Sequence, residues 1–108
     1  MVAKLLQPPE VVNLSRTRDY DILIDRTTKW GNPYIMGKDG NRDEVCDKHE
    51  KWLMQWVLHK KEIIIRGLSN KWVIEHLDEL EGLIIACHCY PKRCHGDTLV
   101  KLFVRGIK

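Results

Sequence analysis

The chain has 108 residues, 44% of them hydrophobic and 31% charged, a balance that suits one globular domain and excludes a disordered or low-complexity protein. Its 18 basic and 15 acidic residues leave a formal charge of +3, too small a surplus to demand a polynucleotide and equally suited to a small anionic ligand. No run approaches the roughly 20 apolar residues of a bilayer span and the first residues lack a secretory hydrophobic stretch, so a cytoplasmic protein without membrane contact is expected.

Residues 1–10 read as an irregular arm, because Pro8 and Pro9 remove backbone donors and favour extended chain. The domain proper is expected over 11–108. Val11-Val12-Asn13-Leu14 and Tyr20-Asp21-Ile22-Leu23-Ile24 have the composition of two short strands, which suggests a hairpin joined through Ser15-Arg16-Thr17-Arg18-Asp19.

Thr27-Thr28-Lys29-Trp30-Gly31-Asn32-Pro33-Tyr34 has the Gly-Asn-Pro chemistry of a structured loop, and Gly37-Lys38-Asp39-Gly40-Asn41 continues it as a turn. From Arg42 to Leu58 the apolar residues Val45, Trp52, Leu53, Trp56 and Val57 recur at helical spacing, with Asn41 as cap and Asp43 and Glu44 in the first turn. Trp52 and Trp56 are expected to fill the domain's own core.

Ile63-Ile64-Ile65 is too short to divide between strand and helix by periodicity. Asn70 to Leu80 reads as a helix stopped near Gly82, and Leu83-Ile84-Ile85-Ala86-Cys87 as the central strand, apolar on both faces. Asp97 to Val104 forms the last helix, with Gly106 near its end and Asp97 a natural N-cap.

Three of the four cysteines fall between Cys87 and Cys94, while Cys46 lies apart on a helix. That distribution points to thiols used for chemistry or metal rather than to a disulfide framework. Cys87, Cys89, Cys94 and His95 together offer the thiolate and imidazole donors of a zinc site, although in one short segment rather than two separated pairs. Cys94 near a helix N-terminus, beside Lys92, Arg93 and His95, also has the surroundings that lower a thiol pKa and make a nucleophile. Against both stands the plain reading of Cys87 as a buried apolar residue. Gly96 at a helix start allows close approach of an anion to backbone amides, and His95 or Asp97 would serve as acid or base. His88 should point away from Cys87 and Cys89 if the strand runs through it.

Arg26, Lys29, Trp30 and Asn32 supply two cations, an aromatic face and an amide in one loop, a set suited to phosphate, base and sugar of a nucleotide. Trp30 alone fits the core equally well.

The two motifs together, Arg26-Thr27-Thr28-Lys29-Trp30-Gly31-Asn32-Pro33 and Cys87-His88-Cys89 through Cys94-His95-Gly96-Asp97-Thr98-Leu99, with Val12-Asn13-Leu14 and the Arg42-to-Leu58 helix, resemble domain-of-unknown-function family 4326 of bacteria and tailed phages. The resemblance implies a compact α/β domain, a phage or bacterial source, and site positions at Arg26, Lys29, Asn32, Cys87, Cys89, Cys94, His95 and Asp97. His88 stands where the family usually has a bulky aromatic residue.

These readings converge on a small single-domain α/β protein, a Rossmann-like sandwich of two or three layers with a short, mostly parallel sheet and about three helices. By analogy with small nucleotide-handling domains, its two motifs are expected to meet at the carboxyl ends of the strands. The expected function is binding, with or without modification, of a nucleotide or nucleotide-derived ligand. The alternatives are a zinc module that contacts nucleic acid or a host protein, and a thiol-dependent enzyme using Cys94.

Overall fold

The structure is a computed structural model and describes residues 7–15, 19–88 and 92–106. In chain order its elements are β1 (Glu10–Asn13), β2 (Ile22–Leu23), α1 (Arg42–His59), β3 (Ile64–Ile65), β4 (Leu68–Ser69), α2 (Asn70–Glu75), a 3-10 turn at Leu77–Leu80, β5 (Ile84–Cys87) and α3 (His95–Arg105).

The apolar run expected to be central is central. Ile85, Ala86 and Cys87 are buried in succession, so both faces of β5 are covered. β1 and β2 flank it, both parallel to it, in the order β1-β5-β2. Val12 and Leu23 stand opposite Ala86 from its two sides. The expected hairpin between the first two strands is therefore replaced by two parallel pairings. Residues 14–21 carry no Asn-Gly or Asp-Gly turn to fold β1 back on β2, while β5 offers a buried ladder on each edge. Residues 16–18 of that connection lie outside the described residues.

The N-terminal end of the sheet is fastened earlier than expected. Gln7 accepts from the Gly82 N–H at 2.8 Å, Glu10 donates to Leu83 at 3.0 Å, and Pro9 is buried. Only residues 1–6 of the expected arm lie outside the described residues.

α1 begins as its sequence dictates. The Asn41 side chain accepts from the Glu44 N–H at 2.9 Å and Glu44 accepts from the Asn41 N–H at 3.0 Å, a reciprocal capping box. Val45, Cys46, His49, Trp52 and Leu53 form its buried face. Trp52 donates its indole N–H to the Ile63 carbonyl at 2.8 Å. The Lys60 and Lys71 ammonium groups lie over the ring of Trp56. The isoleucine run resolves into β3, paired antiparallel with β4 through a two-residue turn in which Arg66 (φ 50°) and Gly67 (φ 79°) are both left-handed, the geometry that matches strand twist.

The expected helix from Asn70 to Leu80 divides at His76. The His76 Nδ1 lies 2.7 Å from the Trp72 carbonyl, and Leu77 and Leu80, three apart and both buried, suit the three-residue period of a 3-10 turn. α3 begins at His95, before the expected start. Its N-cap is Cys94, and Asp97 sits three residues on, accepting from the Cys94 N–H at 3.2 Å. Asp97 is thus the back-reaching acid of the first turn and not the cap itself. Gly106 (φ 67°) closes the helix.

α3 packs on β1, and α1 packs on both α3 and α2. A short parallel sheet with three helices is the α/β architecture expected. No helix among the described residues is long and apolar enough to cross a membrane.

Candidate functional site

Beyond the carboxyl ends of β2 and β5 the chain leaves β2 through residues 25–34 and leaves β5 at His88. The space between is a cleft of about 480 Å³, within the range of small-molecule sites. Asp25, Arg26 and Thr27 line it from the β2 exit, Cys87 and His88 from β5, Cys94 and His95 from the start of α3, and Arg42, Val45 and Cys46 from α1. Tyr34, Ile35 and Met36 form an apolar wall. Residues of both motifs line this cleft where parallel strands end, the meeting expected by analogy with small nucleotide-handling domains.

The exit from β2 is a tight structure. Asp25 accepts from the Thr27 N–H at 2.9 Å and from the Thr27 hydroxyl, and Thr28 donates its hydroxyl to the Leu23 carbonyl at 2.7 Å. A Cβ on Gly31 would come within 2.5 Å of the Asp25 carbonyl, so glycine alone lets the loop close on itself. Asn32 is buried, donates its amide to the Val45 carbonyl at 3.1 Å and accepts from the Tyr34 N–H at 2.9 Å. It joins the loop to α1. Arg66 donates to the Pro33 carbonyl at 2.7 Å and to Asp39 at 3.2 Å, which braces the apolar wall from the β3-β4 turn.

At the mouth His88 Nε2 stands 3.3 Å from the second oxygen of Asp25. Burial pushes the Asp25 carboxyl up, but the Thr27 hydrogen bonds and His88 outweigh it, and the pKa lies below its usual value. The contact joins the exits of β2 and β5 across the cleft, and the His88 ring stays largely exposed.

The cations differ in their availability. Arg93 is clamped by Asp43 at 3.1 Å and Asp47 at 2.7 Å, so it ties α1 to the segment before α3. Among the described residues Arg42 reaches only the Arg93 carbonyl, at 3.4 Å. Arg26 is exposed and makes no hydrogen bond or ion pair among the described residues. Lys29 does not line the cleft; its ammonium lies 5.2 Å from the centre of the Trp72 ring.

Several residues expected at the site serve the fold instead. Trp30 is 5% exposed and meets Trp72 edge-on with ring centres 5.0 Å apart, which places it in the core and not against a ligand base. Gly96 permits close packing: a Cβ there would lie 2.9 Å from the Ile24 side chain and 3.2 Å from that of Val11. Its amide faces the Cys94 sulfur rather than an open anion site. Asp97 is exposed outside the cleft, engaged with the Cys94 amide. His95 is buried, with Nε2 2.6 Å from the Ile24 carbonyl. A carbonyl only accepts, so Nε2 carries the proton in this bond and is not available to a metal. Desolvation lowers the His95 pKa to about 4.

The Cys87 and Cys94 sulfurs lie 3.2 Å apart, both residues buried. The hydrogen bond with Cys87 and burial push the Cys94 thiol far above its ordinary value, the reverse of the expected activation; the Gly96 amide is a weaker opposing effect. Cys89 lies outside the described residues, and among those described no three His, Cys, Asp or Glu side chains are arranged to hold a metal ion.

The family model described as a domain of unknown function (DUF4326) matches residues 12–105. The chain belongs to this family. It is also 36% identical over 99 residues, 91% of this chain and 80% of the relative, to the "Uncharacterized 12.4 kDa protein in nrdA-td intergenic region" of Enterobacteria phage T4. No solved structure matches. The DUF4326 match spans every element from within β1 to the end of α3, so both motifs and the cleft between them belong to the shared domain.

Sequence reasoning missed Asp25, Tyr34, Met36, Arg42 and the placement of His88. Asp25 had a signal, since Asp-x-Thr marks a side chain that bonds its own turn. For His88 the strand ends one residue earlier, at Cys87, so the alternation of faces does not extend to it.

Proposed function

We propose that this DUF4326 domain binds a nucleotide or nucleotide-derived ligand in the cleft at the carboxyl ends of β2 and β5. The observation that carries the reading is the pairing of two arginines, Arg26 and Arg42, with an apolar wall of Tyr34, Ile35 and Met36 around that one cleft. Guanidinium groups match phosphate geometry. Tyr34 and Met36 offer a face for a planar base. The Asp25–His88 pair at the mouth is the group suited to proton transfer on the bound molecule.

Isothermal titration with nucleoside mono-, di- and triphosphates tests this. Saturable binding is expected, weakened tenfold or more in Arg26→Ala, equivalent to about 1.4 kcal/mol. Absence of binding across the panel at millimolar concentration, or an Arg26→Ala protein that binds like the parent, overturns the proposal.

A further inference from the structure

We infer that Cys87 and Cys94 form a redox-active thiol pair that closes into an intrachain disulfide when a small peroxide enters the cleft. Four observations support this assignment. The two sulfurs are 3.2 Å apart, so modest side-chain rotation brings them to bonding distance. Both residues line the cleft, which gives a small oxidant a route to sulfurs otherwise 2% exposed. One cysteine ends the central strand and the other caps α3, two rigid elements that hold the pair in register without help from the intervening chain. Cys46, the other described thiol at the cleft, sits on α1 and belongs to a different element.

The chemistry balances with hydrogen peroxide as the oxidant. One cysteine sulfur attacks a peroxide oxygen; the O–O bond breaks, an S–OH group forms, and the departing hydroxide takes the thiol proton as water. The second sulfur then attacks the S–OH sulfur, the S–S bond forms, the S–O bond breaks, and a second water leaves with the remaining proton. Two electrons pass from the two thiols to the peroxide. Either sulfur can make the first attack, since the two are equally buried and in contact.

The bond joins the residue just before His88 to the residue just after Arg93, and both of these line the cleft. The bond is thus a covalent restraint on the cleft, whatever ligand occupies it.

The test exposes the folded protein to hydrogen peroxide, unfolds it in a thiol-alkylating agent, and maps the peptides by mass spectrometry. The expected result is loss of two alkylatable thiols out of four with a Cys87–Cys94 crosslinked peptide, retained in Cys46→Ser. In Cys94→Ser the crosslink is expected to be absent. Both variants are compared with the parent by circular dichroism, and if Cys94→Ser fails to fold, the Cys46→Ser map alone decides. A crosslink to Cys89 or Cys46, or a Cys87–Cys94 pair that stays alkylatable at peroxide levels that oxidise Cys46, overturns the inference. Neither outcome depends on nucleotide binding.

Discussion

The His95 imidazole, 2.6 Å from the Ile24 carbonyl, ties the first turn of α3 to the point where the chain leaves β2. The ring also lies edge-on to His49, centres 5.2 Å apart. His49 is fully buried and neither ring nitrogen has a hydrogen-bond partner among the described residues. Two neutral imidazoles therefore pack together in the core, His95 also reaching the cleft wall.

This pair makes stability acid-sensitive. Desolvation lowers the pKa of both, that of His49 well below 6.5 and that of His95 to about 4. Above about pH 6.5 neither state binds these protons and stability is insensitive to them. Below it the unfolded chain takes up protons that the folded one refuses, so stability falls as pH drops from 6.5 toward 4. For His95 that interval amounts to roughly 3 kcal/mol at most. Urea denaturation at about pH 7 and about pH 5 should show the loss, with a shallower dependence in His49→Leu. A His49→Leu profile parallel to the parent's would refute the role given to His49.

Gly96→Ala places a methyl group against Ile24, Val11 and the Cys94 sulfur at 2.9 to 3.3 Å. α3 must then lift from the sheet. A loss of about 1 to 3 kcal/mol is expected, read from the thermal midpoint.

Asn70 is fully buried and holds four backbone groups: its amide donates to the Trp52 and Lys61 carbonyls at 2.7 and 3.0 Å, and its oxygen accepts from Ile63 and Lys71. Asn70→Leu keeps the volume but strands those partners. We expect a loss of about 2 to 4 kcal/mol in chemical denaturation; a loss under about half a kcal/mol would mean the backbone finds other partners.

Trp30→Ala should act on stability alone, because the ring packs on Trp72 and not in the cleft. Truncating a buried tryptophan costs about 3 to 5 kcal/mol. Any nucleotide titration of the surviving folded fraction, done at low temperature, should give the parent affinity. Selective loss of affinity would return Trp30 to the ligand.

The sequence by itself determined the local elements whose signals are short-ranged. Asn41 and Glu44 cap α1, the run ending at Cys87 is buried on both faces, and the loop around Gly31 and Asn32 adopts no regular element, because each follows from propensity, capping or apolar patterning within a few residues. Only the tertiary structure decided which residues of the two motifs face the cleft. The sequence near Trp30, Gly96 and His95 looks the same whether those groups meet a ligand or Trp72, Val11 and the Ile24 carbonyl. Their roles depend on contacts between segments far apart in the chain, and no local periodicity encodes such distances. The parallel placing of β1 and β2 has the same cause: each pairs with a strand more than sixty residues away, whose buried edges outweigh the short connection between them.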